Sequence, residues 1–320
     1  MKQLLLLCLS FVLPLSAQYA VEVSNSGGAR HAGEQNHFSV TLTHNGTPVR
    51  TIEREIPFDV PFPSVRLHPV TGTLILSYSF DGFVEVYDRT GTKQWERNFF
   101  KELGPNYERT ITMAVGERSL AFLTSDVRLP HAIVHKISVN GTEEWQQELP
   151  YGMGYEIAMS ADERTIGAGS YAVQDGKVRR SALLLDGAGA TIMESDILFR
   201  SAAFSEDGSM LAIASTDELA VLSVAAQKEI QRSASKTGGV IHGITWHQGS
   251  IVVQEAAVVQ SADGVMRFTD PFILRFTPEL QELERRSIPG HSYKKAQLMS
   301  TGTTVEQTAD AGKVTVIEFR

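Results

Sequence analysis

The stretch SVRLHPVTGTLILSYSFDGFVEVYDRTGTKQWERNF, residues 64–99, contains four short extended segments separated by three turn signals. In its second and third segments, residues 74–78 and 83–87, apolar and polar side chains alternate with the period of two that a β-strand requires. Between the segments, Asp81-Gly82 and Thr90-Gly91 favour the positive φ of tight hairpin turns. The stretch therefore predicts one four-stranded antiparallel sheet.

The same unit recurs along the chain. Its inner corner, where the first strand turns into the second, aligns at Leu67-His68, Ala114-Val115, Met159-Ser160, Phe204-Ser205, Trp246-His247 and Met299-Ser300. The second residues of these pairs lie 47, 45, 45, 42 and 53 residues apart. Such spacing of a four-stranded sheet is typical of an all-β fold, the β-propeller, whose blades bury their faces against one another. The corners and an additional N-terminal hairpin favour seven blades, with six as the alternative.

The N-terminus has the features of a secretory signal peptide. Lys2 precedes an apolar run over residues 4–15, and the small residues Ser16 and Ala17 follow it. A run of about 12 residues covers roughly 18 Å of a hydrocarbon core about 30 Å thick, so we expect cleavage and no membrane span. The sequence predicts a signal peptide at 1–17, a single propeller domain at 18–320, and an extracytoplasmic location, periplasmic or secreted.

The charge balance restricts the partners. The chain has 37 acidic and 29 basic residues, a formal net charge of −8. A nucleic-acid-binding protein needs a basic surface, so we expect no nucleic-acid partner. The one cysteine, Cys8, lies inside the predicted signal peptide, so an exported chain would depend on its core rather than on disulfides.

Two motifs resemble known propeller repeats. FSEDGSMLAIA, residues 204–214, is similar to the inner corner of WD-like and Tol-type repeats, and VYDRTGTKQW, residues 86–95, resembles the tryptophan-docking repeat of pyrroloquinoline-quinone-type propellers. Trp95 and Trp145 each stand four residues after a turn glycine, and the resemblance implies that both dock between an outer strand and the neighbouring blade. That superfamily also includes cofactor-free outer-membrane assembly scaffolds. Vicinal cysteines, found in several quinone dehydrogenases, are missing, so the resemblance implies a scaffold without a cofactor.

Residues at one equivalent position in successive repeats form a candidate ligand site. The residues five positions before the inner corners begin the innermost strands, near the mouth of the central channel, and they are Pro63, Thr110, Tyr155, Arg200, His242 and Lys295. Arg200, His242 and Lys295 are basic or can become so, and together with Tyr155 they could bind an anionic group by charge-assisted hydrogen bonds. The alternative is a set of solvated strand ends.

The links between blades form a second candidate surface. They carry aromatic residues, among them Phe62, Tyr107, Tyr151 and Tyr293, on the face of the disc that propellers commonly use for binding. Aromatic side chains give contact area at low entropic cost, which favours a recognition rim. Packing between adjacent blades is the alternative interpretation.

The sequence favours a binding protein over an enzyme. We find no metal-ligand spacing, no glycine-rich phosphate loop and no Gly-x-Ser-x-Gly motif in it. The favoured function is a non-enzymatic scaffold whose partner is another protein. The alternative is a channel-mouth site for a small anionic ligand, including a lactonase-like hydrolase built from carboxylates such as Glu156.

Overall fold

The protein is described here as a computed structural model covering residues 18–26, 31–260, 266–293, 295–298, 304–307 and 314–317. These residues contain 27 β-strands, which form seven antiparallel sheets, numbered 1 to 7 in chain order. The predicted all-β architecture is confirmed, and the number of sheets fits the predicted range of six to seven blades.

Sheets 2 to 5 each contain four strands in chain order. Sheet 2 consists of β4 (Ser64–Leu67), β5 (Leu74–Tyr78), β6 (Phe83–Tyr87) and β7 (Lys93–Asn98). Sheet 3 consists of β8 (Arg109–Val115), β9 (Ser119–Asp126), β10 (Ile133–Ser138) and β11 (Glu143–Glu148). Sheet 4 consists of β12 (Met153–Met159), β13 (Thr165–Gln174), β14 (Lys177–Asp186) and β15 (Thr191–Ser195). Sheet 5 consists of β16 (Ser201–Phe204), β17 (Met210–Ala214), β18 (Glu218–Ser223) and β19 (Lys228–Ala234).

The remaining sheets depart from this pattern. Sheet 1 has β1 (Tyr19–Ser26), β2 (Gln35–His44) and β3 (Thr47–Pro57). Sheet 6 has β20 (Val240–His247), β21 (Ser250–Gln260), β22 (Met266–Phe276) and β23 (Glu282–Ser287), with β24 (Ser292–Tyr293) added beside β22. Sheet 7 has β25 (Lys295–Leu298), β26 (Thr304–Gln307) and β27 (Val314–Ile317).

The repeat alignment places the strand ends correctly. Leu67, Val115, Met159, Phe204 and His247 each end the first strand of a sheet, as the inner corners predict. The corner at Met299-Ser300 lies outside the described residues, as do residues 1–17. The sequence also predicts that an N-terminal strand closes the ring beside residues 313–319, because closure removes exposed strand edges. Among the strands that the structure describes, none of sheet 1 pairs with any of sheet 7, so this prediction is not confirmed.

The core lies in the seams between consecutive sheets. In the seam of sheets 2 and 3, for example, Ile75 and Val86 pack with Ile111 and Phe122. Further buried apolar clusters join the other consecutive pairs of sheets, from sheets 1 and 2 to sheets 6 and 7. Each sheet therefore depends on its neighbours to bury its two faces.

The two docking tryptophans reinforce adjacent seams. The Trp95 Nε1–H of sheet 2 donates a 2.8 Å hydrogen bond to the carbonyl of Val139 in sheet 3. Trp145 of sheet 3 does the same to the carbonyl of Gly187 in sheet 4, also at 2.8 Å. A Cβ at Gly141 would lie 3.0 Å from the Trp95 ring, and one at Gly189 would lie 2.8 Å from the Trp145 ring. Only glycine fits this close approach, and the predicted docking is confirmed.

Sheets 1 to 6 each have a one-residue bulge between their two outermost strands. The docking tryptophans belong to the last cross-strand pair before this bulge, so the equivalent position can be identified in the other sheets. In sheet 1 it holds Arg50, whose Cβ would meet a Cβ built on Gly91 at 2.7 Å. In sheets 4, 5 and 6 the same register holds Met193, Gln231 and Glu284. The indole anchor is therefore confined to the seams of sheets 2 with 3 and 3 with 4.

Replacing Trp95 or Trp145 with alanine should lower the free energy of unfolding by on the order of 3 kcal/mol, because an aromatic ring leaves its seam. Trp95→Phe and Trp145→Phe are the matched controls. They keep an aromatic ring and lose the indole hydrogen bond, which should cost about 1 kcal/mol. Thermal and urea denaturation measure both effects, and an unchanged midpoint in the alanine variants would contradict the anchoring role.

Candidate functional site

A long hairpin distinguishes sheet 4 from the sheet that follows it. Strands β13 and β14 are paired without interruption from Thr165 with Asp186 to Gln174 with Lys177. In sheet 5 the corresponding hairpin ends at the pair of Ala214 with Leu219, five residues sooner counted from the inner corner. At about 3.3 Å per residue, the hairpin of sheet 4 extends roughly 16 Å beyond that of sheet 5.

One side of this hairpin faces sheet 5. Gly169 at its base packs against Phe199, where a Cβ would come within 2.1 Å of that side chain. Side chains two residues further along share a face, so the cross-strand pairs Tyr171 with Arg180 and Val173 with Val178 lie on this side as well. An ion pair of 3.4 Å between Arg180 and Glu218 of sheet 5 confirms the orientation.

The upper part of that side is apolar and open to solvent. Val173 is 68% exposed and Val178 is 57% exposed, although the two are direct cross-strand partners. A hairpin tip that turns at Asp175-Gly176 has no structural need for two exposed valines. The pair is therefore a candidate contact surface.

At the base of the hairpin, the structure brings together two of the predicted site residues. The Arg200 guanidinium lies over the Tyr155 ring, 5.3 Å from its centroid, and the Tyr155 ring is 5.9 Å from that of Tyr171. Arg200 is exposed and forms no ion pair with any residue that the structure describes. Its cationic group is thus available to an acidic partner group. We name Tyr155, Tyr171, Val173, Val178, Arg180 and Arg200 the hairpin strip.

The other two predicted basic residues do not join Arg200 as cations. His242 is packed among aromatic rings, with Phe268 at 4.6 Å, and its Nε2 accepts a 2.5 Å hydrogen bond from the Tyr293 hydroxyl. Burial lowers the pKa of His242 to about 4, so the imidazole is neutral near pH 7. The prediction of a cationic His242 is wrong for this reason. Lys295 begins β25, and its side chain lies outside the described part of the chain.

Of the four residues in the predicted aromatic rim, one is buried, two are half-buried and one is exposed. Tyr293 is 0% exposed, so its assignment to an exposed rim is wrong: β24 pairs with β22 and carries the ring into the interior. Tyr107 is exposed, its ring is tilted against that of Phe80 with the centroids 4.6 Å apart, and its hydroxyl donates to the Asp59 carbonyl at 2.9 Å. Phe62 is half-buried, 6.0 Å from Phe38, and Tyr151 is half-buried too. Tyr107 is therefore the solvent-facing ring of the four.

Glu156 is the carboxylate that the lactonase-like alternative would use. Its Oε1 accepts a 3.0 Å hydrogen bond from the N–H of the next residue, Ile157. Burial raises the pKa of Glu156, and the charge of Arg66 on β4 partly offsets this rise.

Two further kinds of site are not found in the described part of the chain. Its His, Cys, Asp and Glu residues form no group of three that could hold a metal ion. It also contains no helix with the length and apolar character that a membrane span requires.

Sequence reasoning missed Tyr171, Val173, Val178 and Arg180. They lie beyond the length of strand that the repeat predicts, where the phase of the inner corners gives no information. The usable signal was YAVQDGKVRR at residues 171–180, an alternating run centred on Asp-Gly, which predicts a longer hairpin.

The neutral state of His242 predicts a dependence of stability on pH. Since its pKa is lowered in the folded state, the stabilisation is complete above the unfolded value of about 6.5 and is lost as pH falls toward 4. From about pH 7 to about pH 5 the loss should be on the order of 2 kcal/mol for this side chain. Urea denaturation at both pH values should show a smaller loss for His242→Gln than for the wild type. Equal losses would contradict the assignment.

Comparisons with known proteins agree on the fold. No family model and no curated protein matches the sequence. A WD40 propeller in the crystal structure of a mitotic checkpoint complex is 11% identical, with a TM-score of 0.61, and the match covers 94% of this chain and 91% of that one. The crystal structure of BamB from Moraxella catarrhalis, a propeller of the pyrroloquinoline-quinone-like type, is 14% identical, with a TM-score of 0.53 over 93% of this chain and 85% of BamB. The chain is therefore a β-propeller, similar in fold to both the WD40 and the pyrroloquinoline-quinone-like types.

Proposed function

We propose that this propeller is an extracytoplasmic, non-enzymatic scaffold that binds another protein through the hairpin strip. The observation that carries the proposal is the exposed valine pair, Val173 and Val178, raised above the neighbouring sheet. The strip combines these apolar groups with two tyrosines and two arginines, the residue types that dominate the energetics of protein interfaces.

The chemistry of the strip favours an acidic partner segment with apolar side chains. Arg180 is already paired with Glu218, whereas Arg200 lies over the Tyr155 ring and has no carboxylate partner among the described residues. A partner carboxylate can pair with Arg200 while apolar side chains cover the valines. Because this electrostatic part is solvent-exposed, affinity should decrease as the salt concentration rises. The solved structures that resemble the chain include a checkpoint complex and BamB, and their likeness is compatible with such a role.

A photo-crosslinking amino acid at position 173 should join the protein covalently to its partner in cells of the source organism. Val70 offers a matched control, because it is similarly exposed, at 54%, but lies in the inner corner of sheet 2, on the opposite face. Mass spectrometry of the adducts identifies the partner. The adduct at position 173 should diminish with Arg200→Ala. Adducts of equal yield and identity at positions 173 and 70, or none at 173, would contradict docking at the strip.

The extracytoplasmic location rests on the N-terminal leader. If residues 1–17 are removed on export, the mature chain begins at Gln18. Intact-mass measurement of protein from an extracytoplasmic fraction should give the mass of residues 18–320. Full-length protein recovered from the cytoplasm would contradict export.

A further inference from the structure

Sheet 6 has a second long hairpin, which stands on the other side of sheet 5 from the hairpin of sheet 4. The residues of the second strand that pair with the inner corner are Leu211 in sheet 5 and Ile251 in sheet 6. From there the hairpin of sheet 5 continues for three residues, to Ala214, whereas that of sheet 6 continues for nine, to Gln260. At about 3.3 Å per residue, the hairpin of sheet 6 extends roughly 20 Å beyond that of sheet 5.

The two faces of the sheet 6 hairpin can be told apart at its base. Val253 packs in the apolar cluster shared with sheet 5, so its neighbour Gln254 points the other way, towards sheet 7. There the Gln254 amide donates a 3.3 Å hydrogen bond to the Tyr293 hydroxyl. The Tyr293 ring stacks on that of Phe268, with the centroids 5.4 Å apart, so Phe268 also lies on the sheet 7 side.

Val259 lies on the opposite face, towards sheet 5. Phe268 is the cross-strand partner of Val258, and the next pair along the hairpin is Val259 with Arg267. Because successive pairs alternate between the two faces, Val258 points to sheet 7 whereas Val259 and Arg267 face sheet 5. Val259 is 44% exposed and Val258 is 36% exposed. The hairpin of sheet 6 therefore presents a solvent-exposed valine towards sheet 5, as the hairpin of sheet 4 does.

The two long hairpins and the short one between them enclose a space above sheet 5, which we name the slot. Val173 and Val178 line one of its walls, and Val259 lines the other. Packed sheets lie about 10 Å apart, so sheets 4 and 6 are about 20 Å apart where sheet 5 stands between them. Above the end of sheet 5 that middle layer is missing. The slot is therefore about as thick as one sheet.

The slot is weakly positive, although the chain as a whole is formally −8. Three arginines face it, Arg180, Arg200 and Arg267, against two carboxylates, Asp217 and Glu218. Glu218 is paired with Arg180, and Asp217 accepts hydrogen bonds from the hydroxyl groups of its own turn. Arg200 has no carboxylate partner among the described residues. An occupant with an acidic side chain above Arg200 is therefore favoured.

Backbone hydrogen bonding distinguishes a helix from an extended segment as the occupant. Both walls of the slot are faces of hairpins, whose strands are already paired with each other. An extended segment between them would meet side chains rather than backbone partners, so its own N–H and C=O groups would lose hydrogen bonds on entry. An α-helix satisfies these groups internally, and its diameter of about 10–12 Å matches a space one sheet thick.

We infer that the slot binds an amphipathic α-helix of the partner protein. The helix lies across the end of sheet 5, with apolar side chains against the valines of both walls and an acidic side chain at Arg200. Each wall is two strands wide, roughly 10 Å with its side chains, so about two turns of helix fill it. This inference rests on the proposed docking function and adds to it a second wall and the helical form of the partner segment.

Two variants at adjacent residues test the second wall, with the adduct formed from a photo-crosslinking amino acid at position 173 as the readout. Val259→Glu places a carboxylate in the slot and should lower the yield of this adduct roughly tenfold, because it repels the acidic segment and removes an apolar contact. Val258→Glu is the matched control. It adds the same charge to the same exposed hairpin, on the side that faces sheet 7, and should leave the yield unchanged.

The outcomes separate the slot from docking at the hairpin strip. Both variants change an exposed residue and should keep the thermal midpoint of the wild type. An unchanged yield with Val259→Glu, or equal losses with the two variants, would overturn the slot and leave docking at the strip standing. The absence of any adduct from position 173 in the otherwise wild-type protein would overturn both.

A proline substitution in the partner tests the helical form of its segment. Mass spectrometry of the adduct locates the segment, and calorimetry with the purified partner measures its affinity. A proline in the middle of the segment should weaken binding roughly a hundredfold, because it breaks a helix interior. Alanine at the same position is the control and should change the affinity less than about threefold. Equal affinities of the proline and alanine partners would show that the segment is not helical and would overturn the inference.

Discussion

Contact between consecutive sheets is the constraint on which the whole molecule depends. A four-stranded sheet with apolar side chains on both faces cannot exist alone in water, because only a neighbour on each side removes those faces from solvent. Trp95 and Trp145 fix how closely particular sheets approach one another. Each indole lies on a glycine turn of the next sheet and donates to a carbonyl there, so the spacing between two sheets is set by direct contact.

Much of the architecture could be predicted because it is local and repeated. Alternating strands, Asp-Gly and Thr-Gly turns and the spacing of the inner corners together define the sheets, and the glycine-to-tryptophan spacing predicts the docking. Departures from the repeat could not be predicted this way. The addition of β24 to sheet 6 depends on a pairing with β22 across residues far apart in the chain, which no local pattern contains.

The candidate site was predictable only in part. Tyr155 and Arg200 meet as their common phase implies. His242 does not follow, because its ring packs against Phe268 and Tyr293 in the interior, and the pairing of β24 with β22 places Tyr293 there. Glu163 looks like an ordinary turn residue in the sequence. The structure gives it a positive φ of 62° at the corner position where sheet 5 has Gly208, and no local sequence pattern indicates this.

The uneven distribution of docking residues makes the ring mechanically asymmetric. Seams closed by an indole resist separation, whereas Met193 and Gln231 at the same register provide a smaller or more polar contact. The joint between sheets 4 and 5 is the first one after the tryptophan-closed seams, and it runs beneath the hairpin strip. That joint is held by the packing of Gly169 against Phe199 and by the ion pair of Arg180 with Glu218, so a partner that binds Arg180 at the strip would contact both sheets at once.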